Sequence, residues 1–359
     1  MKELERGARR GLARILGGVF RPEPEPAWDR GALRRVAVLR LDRRLGNQVI
    51  LFPMLEALRR ACPAAEIEVI APGPYDAAYE GLESVTRVLR FERSSPGHAE
   101  GWRTIPALRS RRYDMVIEAG HHHTFSLSGA LLARALGAPL RLGFRRGDSP
   151  RHLNILVDAP LAPGPGRARI FFELARRLDP AAVYAPPRWK VTPAERAAGE
   201  AARRRLGLGA GAVGIHPGGR GARQWPRENF ESVARALADS GLQPVLFLGA
   251  GEADQAGAWR AAAGHAWRLV ETPPLREFAA LVEGLSGWVS GDTGPLHVAV
   301  ALGVPAVGAL LHPESLEALE ESPRYRGILR VGSGPGVDEV VETLCALRAG
   351  GGPAGGPWT

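Results

Sequence analysis

The sequence predicts an α/β protein made of two doubly wound halves. From Arg35 onward, short apolar runs alternate with segments of helical period, which is the pattern of a parallel sheet covered by helices. The series is interrupted by Pro/Gly-rich chain and then restarts, and 359 residues suit about two domains. With 45% apolar and 24% charged residues, the chain can bury a sizeable core, which excludes disorder, collagen and coiled coil as whole-chain readings.

Residues 1–26 stand apart. Leu4, Ala8, Leu12, Ile15, Leu16, Val19 and Phe20 recur at helical spacing among Lys2, Arg6, Arg9, Arg10, Arg14 and Arg21, until Pro22, Pro24 and Pro26 end the pattern. Two readings fit this basic amphipathic helix. It lies on an anionic membrane surface, where each basic residue contributes roughly 1 kcal/mol, or it packs on the protein's own body. No apolar run approaches the ~18 residues of a spanning helix, and the N-terminus lacks a cleavage site after a short apolar core. The expected location is therefore the cytoplasm, peripheral on the inner face of the cytoplasmic membrane if the helix binds there.

In the first half, residues 35–41, 67–71, 85–91 and 115–119 read as strands, and residues near 48–61 and 126–136 as helices. Pro/Gly-rich stretches follow at 159–166 and 185–188, and the linker is expected at the second. The series then resumes with Thr192-Pro193-Ala194-Glu195, a capping box with proline at the first helical position, which opens a helix through about residue 206. Strands are expected at 212–216, 244–248, 267–271, 287–290 and 306–309, and helices at 226–240, 252–263, 275–285, 295–302 and 337–348. The resulting division is a basic segment 1–26, a domain 27–185, a domain 186–348 and a Gly/Pro-rich tail 349–359 expected to be disordered. Ligands of open α/β sheets bind at the carboxyl ends of strands, so a cleft between the two halves is the expected site. No G-x-G-x-x-G follows the first strand and no G-x-x-x-x-G-K-[ST] occurs, which argues against ordinary dinucleotide binding and against a P-loop NTPase.

The 47 basic and 38 acidic residues leave a net charge of +9, which favours anionic partners. Only Lys2 and Lys190 are lysines, so the basic charge is nearly all arginine, as codon bias in a GC-rich genome also produces. The basic residues are scattered and aromatic content is 6%, so no nucleic-acid partner is expected. Cys62 and Cys345 are too few for a disulfide framework or zinc ribbon and are expected to be buried thiols.

Three strand-to-helix junctions concentrate the unusual residues. In Arg40-Leu41-Asp42-Arg43-Arg44-Leu45-Gly46-Asn47-Gln48, Gly46 can approach a ligand or take positive φ, and Asn47 can cap the next helix. The loop from His216 through Gly218, Arg220 and Arg223 to Pro226 offers backbone N–H groups and two arginines to an anion; a flexible turn with solvated arginines is the alternative. Ser290-Gly291-Asp292-Thr293-Gly294-Pro295-Leu296-His297 leaves a strand and enters a helix whose free N–H groups suit an anionic ligand, with Asp292 as a mere N-cap the competing view. The run His121-His122-His123 suggests metal, but neighbours in a row cannot all face one ion from regular structure, and no D-x-D occurs.

These three loops, with Val36–Leu39 preceding the first and Ala301-Leu302-Gly303-Val304-Pro305 following the last, resemble the bacterial heptosyltransferases of glycosyltransferase family 9 over about residues 35–348. The resemblance implies a GT-B fold, two Rossmann-like doubly wound domains facing a central cleft, and an inverting transfer of heptose from ADP-heptose onto lipopolysaccharide core or a lipid-linked acceptor without metal or cofactor. It places the donor on the C-terminal domain, with Arg223 in the position of a family lysine that contacts phosphate. Asp292, Thr293, Gly294 and His297 would line the pocket beside the loop of His216, Gly218 and Arg220, with Glu252 near the nucleoside. One departure matters: the family's catalytic aspartate is Asn47 here, and an amide cannot act as a base. Asp42 and the histidines 121–123 are the candidate replacements. A non-catalytic sugar-nucleotide or glycolipid-binding relative is the second reading; a two-lobed solute-binding protein conflicts with the missing export signal.

Overall fold

The computed structural model describes residues 20–92, 103–160, 166–219, 221–249, 251–264, 266–271 and 273–350. Residues 1–19 of the amphipathic segment, Arg220 and most of the tail lie outside them. The described chain forms two compact units. One holds residues up to 43, from 51 to 160 and from 169 to 185; the other holds 44–50, 166–168 and 186–350.

In the first unit, β1 (Arg35–Leu39), β2 (Glu66–Ala71), β3 (Arg87–Arg90), β4 (Met115–Glu118), β5 (Leu140–Phe144) and β6 (Ile155–Val157) form one sheet in the order β3-β2-β1-β4-β5-β6. Every pairing is parallel, and Val36 of β1 sits opposite Ile67 on one side and Met115 on the other. The second unit repeats the plan with β7 (Ala212–His216), β8 (Gln243–Leu248), β9 (Arg268–Glu271), β10 (Gly287–Ser290), β11 (Ala306–Leu310) and β12 (Tyr325–Leu329), ordered β12-β11-β10-β7-β8-β9. Strands covered on both faces are mostly apolar, and β4, β7, β10 and β11 are buried along their whole length, with a polar residue only at the carboxyl ends of the first three. Strand order reverses between β1 and β4 in one unit and between β7 and β10 in the other, and it is at such reversals that open sheets bind ligands.

Several expectations need correction. The helix expected over 48–61 is two helices, Leu45–Val49 and Phe52–Ala61, because Pro53 has no N–H to offer the carbonyl of Val49. Asn47 is buried inside the first of these rather than capping it; Arg44 is the N-cap residue and makes no side-chain cap bond. The helix expected from 252 starts only at Ala256, after a 3₁₀ turn at Ala253–Gln255. Strands β5, β6 and β12 and the helices Ile105–Arg109 and Arg167–Arg176 were not anticipated. Cys62 is buried, but Cys345 is only half-buried.

Residues 20–28 pack on the first unit. Arg134 stacks over Phe20 at 4.4 Å, Phe20 meets the His152 ring at 5.3 Å, and Glu23 pairs with both Arg134 and Arg141. No helix among the described residues is long and apolar enough to cross a membrane.

Candidate active site

In the second unit the carboxyl ends of β7, β8 and β10 bring most of the expected donor residues together. His216 closes β7, and its Nδ1–H donates to the carbonyl of Phe247 on β8 at 2.9 Å. Burial pushes its pKa below the usual histidine value, with the Glu252 carboxylate opposing the shift. Glu252 accepts from the Gly249 N–H at 3.1 Å. Gly218 is where the backbone crosses these groups: a Cβ there would lie 2.3 Å from His216 Nε2 and 3.0 Å from Glu252 Oε1. Only glycine permits that approach.

Arg223 bridges two carboxylates. Its Nη2 donates to Glu314 Oε2 at 2.5 Å, and its Nη1 stands 3.6 Å from Asp292 Oδ2, which also accepts from Ser315 Oγ at 2.7 Å. The guanidinium holds the Glu314 carboxyl below the usual carboxylate range. Asp292 is thus a partner of Arg223 and Ser315 rather than the N-cap it could have been. Thr293 is the cap residue of the helix Gly294–Ala301, yet its hydroxyl lies 2.7 Å from Ser290 Oγ and makes no cap bond. The start of that helix therefore has no side-chain cap.

His297, one turn in, is buried, and its Nδ1 has no hydrogen-bond partner. Burial drives its pKa down to about 4, against the opposing charge of Asp292. Gly46 lies flat against this imidazole, since a Cβ would stand 2.5 Å from His297 Cδ2. Gly46 is therefore required for packing the helix Leu45–Val49 on Gly294–Ala301, not for positive φ.

The first unit holds the other candidates. Asp42 follows β1 and His121 follows β4; the imidazole Nε2 donates to Asp42 Oδ2 at 2.7 Å, with the side chains 10% and 40% exposed respectively. Of the other two histidines, His122 packs edge-on against Phe144 and Phe171, and the His123 ring lies 5.7 Å from that of His121 and 4.7 Å from that of His122. Among the described residues no three His, Cys, Asp or Glu side chains are grouped as a metal site. Asn47 belongs to the second unit and Asp42 to the first.

Sequence reasoning missed the groups beneath this pair. Arg40 is buried, donates to the Ala119 carbonyl at 2.5 Å and stacks over Phe171 at 4.6 Å; burial lowers its pKa, and Asp42 opposes that most strongly. Glu118 and Arg146 form a buried pair at 2.5 Å, and burial pushes the Glu118 pKa up. Gly120 passes over that pair, where a Cβ would be 2.3 Å from Glu118 Oε1. Glu314 and Ser315 were missed as well, having no local motif to mark them.

Residues 102–312, more than half of the chain, match the family model for glycosyltransferase family 9 (heptosyltransferase). Among solved structures, a glycosyl transferase family 9 protein from Veillonella parvula superposes with a TM-score of 0.75 at 17% identity, covering 90% of this chain and 99% of that one. E. coli ADP-heptose lps heptosyltransferase II gives 0.73 at 22% identity, covering 88% and 99%. E. coli heptosyltransferase WaaC with ADP gives 0.66 at 19%, covering 88% and 98%. These likenesses establish the GT-B fold class. No curated protein matches the sequence.

Proposed function

Because the chain belongs to glycosyltransferase family 9, a family of sugar-transferring enzymes, we propose that it moves heptose from ADP-heptose onto a lipopolysaccharide core or related cell-surface glycan, with inversion and without metal or cofactor. The solved neighbours that support the donor are described as an ADP-heptose heptosyltransferase and as a heptosyltransferase with ADP. In this reading the domain 186–348 serves the donor, the domain 27–185 serves the acceptor, and the basic segment 1–26 holds the enzyme at an anionic membrane surface.

The observation that carries the proposal is the end of β10. Asp292, Thr293 and the start of the helix Gly294–Ala301 stand beside Arg223, so a cation and a helix start without a side-chain cap meet where a nucleotide diphosphate would leave. As the anomeric carbon–oxygen bond breaks, negative charge grows on the diphosphate, and preorganised donors stabilise that charge most. In this reading His216, Gly218, Glu252 and His297 shape the surrounding donor pocket, and Arg220, outside the described residues, is a further candidate phosphate contact. A direct attack by the acceptor oxygen on the face opposite the leaving group inverts the anomeric centre. The competing reading, a binding protein without turnover, rests on Asn47; the Asp42–His121 pair favours turnover.

Calorimetry with ADP, UDP and GDP on the wild type and Arg223→Ala tests this. ADP should bind best, and the variant should lose roughly 1.5–3 kcal/mol, as for a hydrogen bond to a charged group. Unchanged affinity in a folded variant removes Arg223 from the site, and a preference for UDP or GDP overturns the ADP assignment.

A further inference from the structure

We infer that Asp42 and His121 replace the missing carboxylate at position 47, with His121 as the catalytic base and Asp42 as the residue that positions it. This rests on the transferase reading above and adds the identity of its base. β1 and β4 are parallel neighbours, with Leu39 opposite Glu118, so the chains leaving their carboxyl ends bring the two side chains together where the strand order reverses. A carboxylate only accepts hydrogen bonds. The 2.7 Å contact therefore fixes the proton on Nε2, and in the neutral ring the lone pair sits on Nδ1.

The exposures separate this pair from an ordinary surface ion pair, in which both partners are solvated. Here the carboxylate is 10% exposed and the imidazole 40%: a sheltered acceptor orients a base that solvent and substrate can reach. Buried contacts hold the backbone below the pair. Arg40 ties the Asp42 loop to the Ala119 carbonyl just before His121, and Gly120 seats the chain on the buried Glu118–Arg146 pair. In the reaction, the acceptor hydroxyl oxygen bonds to the anomeric carbon as the bond from that carbon to the diphosphate oxygen breaks. Its electron pair departs with the diphosphate. The hydroxyl proton passes to Nδ1 of His121, and the imidazolium, paired with Asp42, returns it to solvent.

The test is transfer from ADP-heptose to heptose-free lipopolysaccharide core, with ADP affinity measured on the same preparations. His121→Ala should lower kcat about 100-fold or more, leave ADP affinity and donor KM within about two-fold, and recover in part with added imidazole. Asp42→Asn should also lower kcat and, by nitrogen-15 NMR, shift His121 away from its Nε2–H tautomer. Undiminished kcat in His121→Ala, or loss in Asp42→Asn with the tautomer unchanged, overturns the assignment while ADP binding stands. A wild type that neither binds ADP nor consumes ADP-heptose overturns the donor reading and the role of the pair with it.

Discussion

A buried imidazole that stays neutral makes stability depend on pH. The folded pKa of His297 is about 4, whereas in the unfolded chain it returns to the ordinary histidine value near 6.5. Below that value the unfolded chain takes up a proton that the folded chain refuses. The contribution is present above pH 6.5, declines as pH falls and is lost near pH 4, a span of about 3 kcal/mol. His216, also lowered by burial, adds to the same slope. Urea midpoints of the wild type should therefore fall from pH 7.5 toward pH 5, and His297→Gln should flatten that fall; parallel curves would refute it. A second residue-scale outcome concerns Glu314, whose exposed carboxylate occupies Arg223 in competition with any diphosphate. Glu314→Gln should raise ADP affinity a few-fold, since an exposed pair is weak and easily displaced. Weaker binding would make Glu314 a donor contact instead.

At the scale of elements, the clearest signals were those whose chemistry is complete within a few residues. Thr192 Oγ1 accepts from the Glu195 N–H at 3.2 Å, Glu195 Oε2 accepts from the Thr192 N–H at 2.8 Å, and the helix Pro193–Arg205 starts where the four-letter motif places it. Arg276 clasps the same carboxylate at 2.6 Å and holds its pKa down at about 2. Thr192→Ala should cost about 1 kcal/mol in urea unfolding, and no measurable loss would mean that Arg276 holds the helix start unaided. The unanticipated strands lack such closure. In β5 the apolar run is broken by Arg141, whose burial is compensated by the carbonyls of Ala138 and His152 and by the Glu23 carboxylate. In β12 Gly327 lies opposite Gly308 of β11, and a Cβ on either would come 3.0 Å from the Tyr325 hydroxyl, so these glycines serve a ring the local pattern does not reveal. The candidate site divides the same way. Asp292 and Thr293 stand in a recognisable strand-to-helix loop, whereas Ser315, 23 residues on, meets Asp292 only through the fold.

The whole chain carries a charge of +9, and Lys2, Arg6, Arg9, Arg10 and Arg14 precede the residues that pack on the first unit. That arrangement separates two roles within 1–26. Residues 20–28 brace the fold: Glu23 pairs with Arg134 and with Arg141, whose side chain is only 10% exposed, Arg177 reaches Glu25, and Trp28 Nε1 donates to Glu25 at 3.0 Å. The proposed membrane contact falls on the basic residues before them. Removing 1–26 therefore confounds the two, because it leaves Arg141 without its carboxylate at a cost of roughly 1–3 kcal/mol. Removing 2–19 keeps the brace. That shorter deletion should leave the melting temperature and ADP affinity unchanged yet abolish co-sedimentation with phosphatidylglycerol vesicles, and wild-type binding should weaken steeply above about 0.1 M salt, where the Debye length falls to ~10 Å. The longer deletion should melt earlier as well. If the shorter deletion still sediments with vesicles, the contact lies elsewhere on the protein; if it melts as early as the longer one, residues 2–19 pack on the body and the amphipathic pattern reflects that burial.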